Sequence, residues 1–350
     1  MFDPKRPAPP GKPSSPSGGA TAATPRPASP LSPRPQATAA PRPASPLSPR
    51  PAAPGSAATS PAAPARPLAG LGQRESGTRE FVFTAADFER VRKLIYQHAG
   101  ISLSAAKQDM VYSRLARRLR ATNKNSFGEY LEMLEKGNSE EWERFVNSLT
   151  TNLTSFFREP HHFPIFAEHL KKLGSRNPIR VWCSAASTGE EPYSIAMTVA
   201  ETFNSFNTPV SIIATDLDTN ELATADKGVY AMDRVECLSP ERLKRFFLKG
   251  SGSQEGYAAV RPELRRMIQF QQLNLLNASY PVKGPLDVIF CRNVMIYFDK
   301  PTQYKILSRF APMMQEDGLL FAGHSESFLH AADIFRSLGK TVYELSRRTR

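Results

Sequence analysis

Ile179-Arg-Val-Trp-Cys-Ser-Ala-Ala-Ser-Thr-Gly-Glu-Glu-Pro192 reads as a short apolar strand, a turn of small residues and the opening of a helix. The helix runs on to about Phe203, and Val210-Ser-Ile-Ile-Ala-Thr215 makes the next strand, ending at Asp216. Strand, helix and strand at this spacing form a parallel crossover unit. The rhythm returns downstream, with a strand at Leu286–Cys291, a helix near 301–316, a strand at Gly318–Ala322 and a closing strand at Thr341–Leu345. The pattern predicts an α/β fold, a doubly wound sheet that binds ligands at the carboxyl ends of its strands. Residues 229–272 interrupt it. A helix started by Pro240, a Gly-rich turn (Gly250, Gly252, Gly256) and short strands read there as a small β insertion in a larger domain spanning 178–350.

Upstream, residues 79–150 read as an N-terminal helical domain. Thr84 with Asp87, and Ser126 with Glu129, have capping-box spacing. Phe88, Val91, Leu94 and Ile95 share one helical face, and Gly100 suits a helix stop. A second helix is expected from about Ser104 to Arg120, and a fourth opens at Ser139. Residues 151–177 read as a linker and connecting helix.

Of 31 prolines, 20 lie in residues 1–67, among Ala, Ser, Thr and Arg; this predicts a disordered tail over 1–78. Pro25-Arg-Pro-Ala-Ser-Pro-Leu-Ser-Pro-Arg-Pro35 recurs at 41–51 and has no apolar face to bury, so it reads as a spacer. Residues 1–80 carry 10 basic and 3 acidic side chains. The rest carries 35 and 30, so the net charge of +12 overstates how basic the folded part is and argues against a nucleic-acid binder. Cys183, Cys237 and Cys291 are too few and too scattered for a disulfide framework or a cysteine zinc site. No apolar run approaches a membrane span and no secretory core is seen, so a reducing cytoplasm is the expected compartment.

The turn after the first strand lacks G-x-G-x-x-G, and Glu190 and Glu191 would repel a phosphate at the helix start. An acid ending the second strand, Asp216, suits ribose hydroxyls. A ligand with a ribose and positive charge but no phosphate fits this set, and S-adenosylmethionine is one. The alternative for the two glutamates is complementing the helix dipole. His161 and His162 point apart on a helix, and no metal is expected.

Four longer motifs widen the reading. Asn152-Leu-Thr-Ser-Phe-Phe-Arg-Glu-Pro-His-His-Phe163, Ala186-Ser-Thr-Gly-Glu-Glu-Pro-Tyr-Ser194, Cys291-Arg-Asn-Val-Met-Ile-Tyr-Phe298 and Phe321-Ala-Gly-His-Ser-Glu-Ser-Phe328 resemble the CheR family of chemotaxis receptor methyltransferases. The resemblance covers roughly 81–346. It implies an S-adenosylmethionine-dependent methyltransferase sheet that esterifies glutamate side chains of chemoreceptors in chemotaxis adaptation. It implies cofactor contacts at Asn152, Thr154, Arg158, Asp216, Asn274, Leu275, Asn293 and Val294, and at a carboxylate of the Gly-Glu-Glu turn, Glu191 being favoured over Glu190. Arg158 and Tyr297 fall near the transferred methyl, with roles in attracting and orienting the acceptor, or else in an ion pair between domains and in packing. A glutamate acceptor is ionised at neutral pH, so no general base is needed.

The second helix carries Lys107, Arg114 and Arg118 in one narrow stripe, with Arg117 about 60° round it. This is either a solvated face or, as the resemblance implies, a docking patch for glutamate-rich receptor helices. The turn at 250–256 resembles the loop with which some family members hold a receptor's C-terminal peptide; the alternative is an ordinary hairpin loop. Recruitment to receptor arrays at the inner membrane, without insertion into it, would follow from such docking. Two other functions are compatible with these residues: methyl transfer to another protein carboxylate, and an idle module that only binds the cofactor. The intact Gly189-Glu190-Glu191 turn and the intact run from Asn152 to Arg158 argue against the idle module.

Overall fold

The computed structural model describes residues 79–137, 139–174 and 176–346. The segment read above as a disordered tail, 1–78, lies outside the described residues. Four helices come first: α1 (Ala85–Ala99), α2 (Gln108–Ala121), α3 (Phe127–Glu135) and α4 (Ser139–Leu149). Thr84 Oγ1 accepts from the Asp87 N–H (3.1 Å) and Asp87 Oδ2 from the Thr84 N–H (2.9 Å), a complete capping box. At α3 only half of that motif forms. Ser126 Oγ accepts from the Glu129 N–H (3.2 Å), but Glu129 accepts from the Asn125 amide instead (3.3 Å). A 3₁₀ turn at Ala105–Lys107 delays the start of α2. Ile95, Leu115, Phe127 and Phe145 are fully enclosed where the four helices meet.

Helix α5 (His162–Leu173) leads into the sheet. The following elements are β1 (Ile179–Cys183), α6 (Glu190–Thr202), β2 (Val210–Asp216) and α7 (Thr219–Lys227). Then come β3 (Val229–Ala231), α8 (Met232–Val235), α9 (Pro240–Phe246), β4 (Phe247–Lys249), β5 (Tyr257–Val260), α10 (Pro262–Arg265) and β6 (Ile268–Gln272). The chain ends with β7 (Leu286–Cys291), α11 (Lys300–Phe310), β8 (Met314–Ala322), β9 (Phe335–Gly339) and β10 (Val342–Leu345). Seven strands form the main sheet in the order β6-β2-β1-β7-β8-β10-β9. Strands β6, β2, β1, β7 and β8 pair in parallel, and β10 pairs antiparallel to both β8 and β9. Strand order reverses between β1 and β7, which places a crevice at their carboxyl ends.

The insertion is shorter than its expected 229–272. Strands β3, β5 and β4 form a separate antiparallel sheet, but Ile268–Gln272 pairs with β2 in register Ile212↔Ile268 to Asp216↔Gln272 and belongs to the main sheet. As an edge strand with solvent beside it, Ile-Gln-Phe-Gln-Gln carries only two apolar residues, so its pattern does not separate it from the insertion. The closing strand expected at Thr341–Leu345 forms as β10, while its hairpin partner β9 has no counterpart among the expected strands.

Phe166, Tyr193, Phe290 and Phe321 fill one face of the main sheet, and Trp182, Ile289, Phe310 and Leu320 the other. Every residue of β7 is buried, as expected of a central parallel strand covered on both faces. Among the described residues, no helix is long and apolar enough to cross a membrane.

Candidate active site

The crevice opens into a cavity of about 530 Å³ between the helical region and the ends of β1, β2 and β7. The segment 150–154 lies across it as a strap. Asn152 Nδ2 donates to Asp218 Oδ2 (3.0 Å), Thr150 Oγ1 donates to the same oxygen (2.8 Å), and Ser187 Oγ reaches the Asn152 carbonyl (3.3 Å). Arg158 Nη1 donates to the Leu153 carbonyl (2.8 Å) and Tyr297 Oη to that of Thr151 (3.2 Å). Asp218 also caps α7, its Oδ1 accepting from the Asn220 N–H (3.0 Å), so it ties the strap to the loop after β2.

Asp216 ends β2 and lines the cavity. Its carboxylate accepts from the Ser187 N–H (2.7 Å) and the Asp218 N–H (3.0 Å). Burial pushes its carboxyl up, and those two hydrogen bonds oppose the rise. The turn that brings Ser187 there needs Gly189, whose φ is +101°; a Cβ on it would lie 2.7 Å from Tyr230 Oη.

Glu190 and Glu191 start α6 and diverge, as successive helical residues must. Glu191 faces the cavity; its Oε2 accepts from Arg292 Nη1 (2.6 Å), and Cys183 Sγ lies 3.4 Å from Oε1. Burial pushes its carboxyl up and the Arg292 charge pulls it back. Glu190 turns away from the cavity toward the insertion, where it is enclosed, ion-paired with Arg234 and bonded by Thr188 Oγ1 (2.6 Å). The two glutamates thus have different surroundings, and only Glu191 lines the cavity.

Asn152, Thr154, Arg158, Asn274, Leu275, Asn293, Val294 and Tyr297 also line the cavity. Asn274 bridges to the helical region, its Nδ2 donating to the His98 carbonyl (2.8 Å). Burial raises the Tyr297 hydroxyl and the Arg158 charge lowers it.

The basic stripe of α2 does not form a free surface. Arg118 makes a two-pronged pair with Glu141 (2.9 and 2.7 Å), and Arg114 donates to the Thr150 carbonyl (2.6 Å) beyond the end of α4. Both are consumed in packing α2 against α4. Arg117 is exposed, and Lys107 is exposed at the cavity rim.

Sequence reasoning missed four residues here. Ser184 lines the cavity with a buried hydroxyl that has no hydrogen-bond partner among the described residues. Arg292 follows an entirely buried strand, and a charge at that position is a legible sign of a strand-end site. Asp218, three residues before Glu221, has N-cap spacing. Glu159 carries no sequence signal of its own. A cavity of this size, with Asp216 and Glu191 as acceptors and Ser184 unsatisfied, fits a ligand bearing a ribose and an ammonium such as S-adenosylmethionine. Among the described residues no group of three or more His, Cys, Asp or Glu is placed to hold a metal ion.

Residues 152–344 match the family described as CheR methyltransferase, SAM binding domain, and residues 86–150 match CheR methyltransferase, all-alpha domain. Chemotaxis protein methyltransferase 2 of Pseudomonas aeruginosa is 51% identical over 268 residues, 76% of this chain and 95% of that protein. The chemotaxis protein methyltransferases of Salmonella typhimurium and Escherichia coli are 52% and 51% identical over 271 residues, 77% of this chain in each case and 93% and 94% of theirs.

Proposed function

The chain belongs to the CheR methyltransferase family, and we propose on that premise that it esterifies glutamate side chains of chemotaxis receptors. The observation that carries this reading is the convergence of Asp216, Glu191, Arg158 and Tyr297 on one cavity. Bound S-adenosylmethionine supplies a methyl group already activated by its sulfonium. Asp216 accepts hydrogen bonds from the ribose hydroxyls, Glu191 meets the ammonium, and Arg158 and Tyr297 hold the acceptor carboxylate. That carboxylate is already ionised, so the chain's task is to align the reactants and exclude water. Incubating receptor membranes with labelled cofactor tests the reading. Base-labile label on receptor is expected; base-stable label, or none, overturns it.

Asp216→Ala removes the ribose acceptor. S-adenosylhomocysteine should bind more weakly by about 1–3 kcal/mol, measured by calorimetry on folded protein. Unchanged affinity would remove Asp216 from the cofactor site.

Docking on the receptor's acidic helices falls to Arg117, with Lys107 at the cavity rim. Arg117→Glu should slow receptor methylation several-fold at low salt, and less at high salt where screening hides the charge. S-adenosylhomocysteine affinity should not move. Equal rates at low ionic strength would place docking elsewhere. Strand β4 lies at an edge of the small sheet, next to the 250–256 loop, and suits strand addition by a receptor's C-terminal peptide.

A further inference from the structure

Arg292 has a fully enclosed side chain. Besides its bond to Glu191 Oε2 (2.6 Å), it lies 3.3 Å from Glu159 Oε2 and donates from Nη2 to the Arg158 carbonyl. Two segments hold Glu159. It accepts from the His324 N–H (3.0 Å) and Asn293 Nδ2 (3.2 Å), and the His324 ring Nδ1 lies 2.9 Å away. Its φ is +53°, a left-handed conformation that a glutamate keeps only when its surroundings impose it. Burial alone would raise the Glu159 carboxyl, but the His324 bonds and the Arg292 charge outweigh it and hold it at about 2. Glu159 does not line the cavity, and the resemblance assigns it nothing.

We propose that Glu159 is a positioning residue for the amino-acid end of the cofactor: by neutralising Arg292 it leaves the Glu191 charge available to the cofactor's ammonium. The inference rests on the reading of this cavity as the S-adenosylmethionine site with Glu191 on the ammonium. Glu159, Arg292 and Glu191 form a row of two negative charges flanking one positive charge, and the Arg158 guanidinium on the cavity is a second positive charge acting on Glu191. Glu159 offsets one of those two positive charges. Take it away and Glu191 alone faces both guanidiniums, with Arg292 held by Glu191 and the Arg158 carbonyl. The enclosure of Arg292 strengthens the effect, because the guanidinium between the two carboxylates is shielded from solvent. A side chain outside the cavity thereby sets the charge within it, as supporting partners do around other binding groups.

The test compares two ligands on the full chain by calorimetry. S-adenosylhomocysteine carries the ammonium. 5′-Methylthioadenosine keeps the adenine, ribose and thioether and lacks the amino-acid end. The readout is the preference for the first over the second, which cancels any general weakening of the site. Glu191→Gln should lose about tenfold of that preference, as expected for a hydrogen bond between charged groups. Glu159→Gln should lose several-fold, with methylthioadenosine affinity unchanged. Glu159→Asp keeps the charge on a shorter stem and should retain part of the preference; it carries the same comparison if Glu159→Gln does not fold. If Glu191→Gln loses the preference and the Glu159 variants keep it, the inference is overturned and the reading of the site stands. Equal weakening of both ligands by the Glu159 variants also overturns it, leaving Glu159 a purely structural role. Should Glu191→Gln itself keep the preference, the reading of the site fails, and the inference with it.

Discussion

Arg158→Ala is expected to lower kcat/KM for receptor methylation by about two orders of magnitude, the usual consequence of losing a group that aligns reactants. Arg158, four residues past the strap, lines the cavity, with Nη1 on the Leu153 carbonyl (2.8 Å). Its role is limited by the direction in which charge moves. Methyl transfer from a sulfonium to a carboxylate neutralises both charges, so the acceptor is less negative in the transition state than in the ground state. A guanidinium that only stabilised the carboxylate's charge would therefore slow the chemical step. Arg158 helps by holding the acceptor in line and by raising its local concentration. Arg158→Lys, which keeps the charge and loses the planar fork, should recover only a small part of the rate. Tyr297→Phe should cost less than Arg158→Ala, because the hydroxyl adds orientation without charge. Steady-state kinetics with a soluble receptor fragment, with S-adenosylhomocysteine affinity measured alongside to separate any loss of cofactor binding from loss of acceptor alignment, would check the assignment. A wild-type kcat/KM for Arg158→Ala would make its bond to the Leu153 carbonyl its whole function.

Arg118→Met is expected to cost stability. Glu141 is nearly enclosed, with 5% of its side chain exposed, and accepts from Arg118 through both oxygens and from Tyr130 Oη (2.8 Å). Removing the guanidinium takes from a nearly enclosed carboxylate its two charge-assisted bonds to Arg118, which costs about 2–4 kcal/mol. For a folded region of this size the melting temperature should fall by roughly 5–10 °C. Adding Glu141→Gln to Arg118→Met should restore much of the loss, since the nearly enclosed position then carries no charge. A melting temperature within a degree of wild type would show that water reaches Glu141. The same geometry makes Arg117, and not Arg118, the informative position for testing docking: a charge reversal at Arg118 would damage the helical region and slow methylation whatever the receptor contacts.

The apolar-rich runs at 179–183, 210–215 and 286–291 mark their strands by themselves, because a strand covered on both faces reads as a near-continuous apolar stretch, interrupted here by Arg180, Ser211, Thr215 and Asp287. Asp216 was legible because a lone acid at the end of such a run has no packing role. The capping box at Thr84 was legible because its partners are three residues apart. What the sequence lacked was any statement of which distant groups share a space. Edge strand β6 was read into the insertion, since one side of it faces water and its pattern is weak. Glu190 and Glu191 look alike in sequence; only Arg292, 101 residues beyond Glu191, and Arg234, 44 residues beyond Glu190, distinguish them. Arg114 and Arg118 share a stripe with Lys107 by helical spacing alone, yet α4 packs against that stripe and consumes both arginines. Local spacing determined the elements and the residues at their ends, because helix and strand periodicities act over a few residues. Partnership between buried charges was decided by the tertiary structure, because it depends on which chain segments meet once water is excluded.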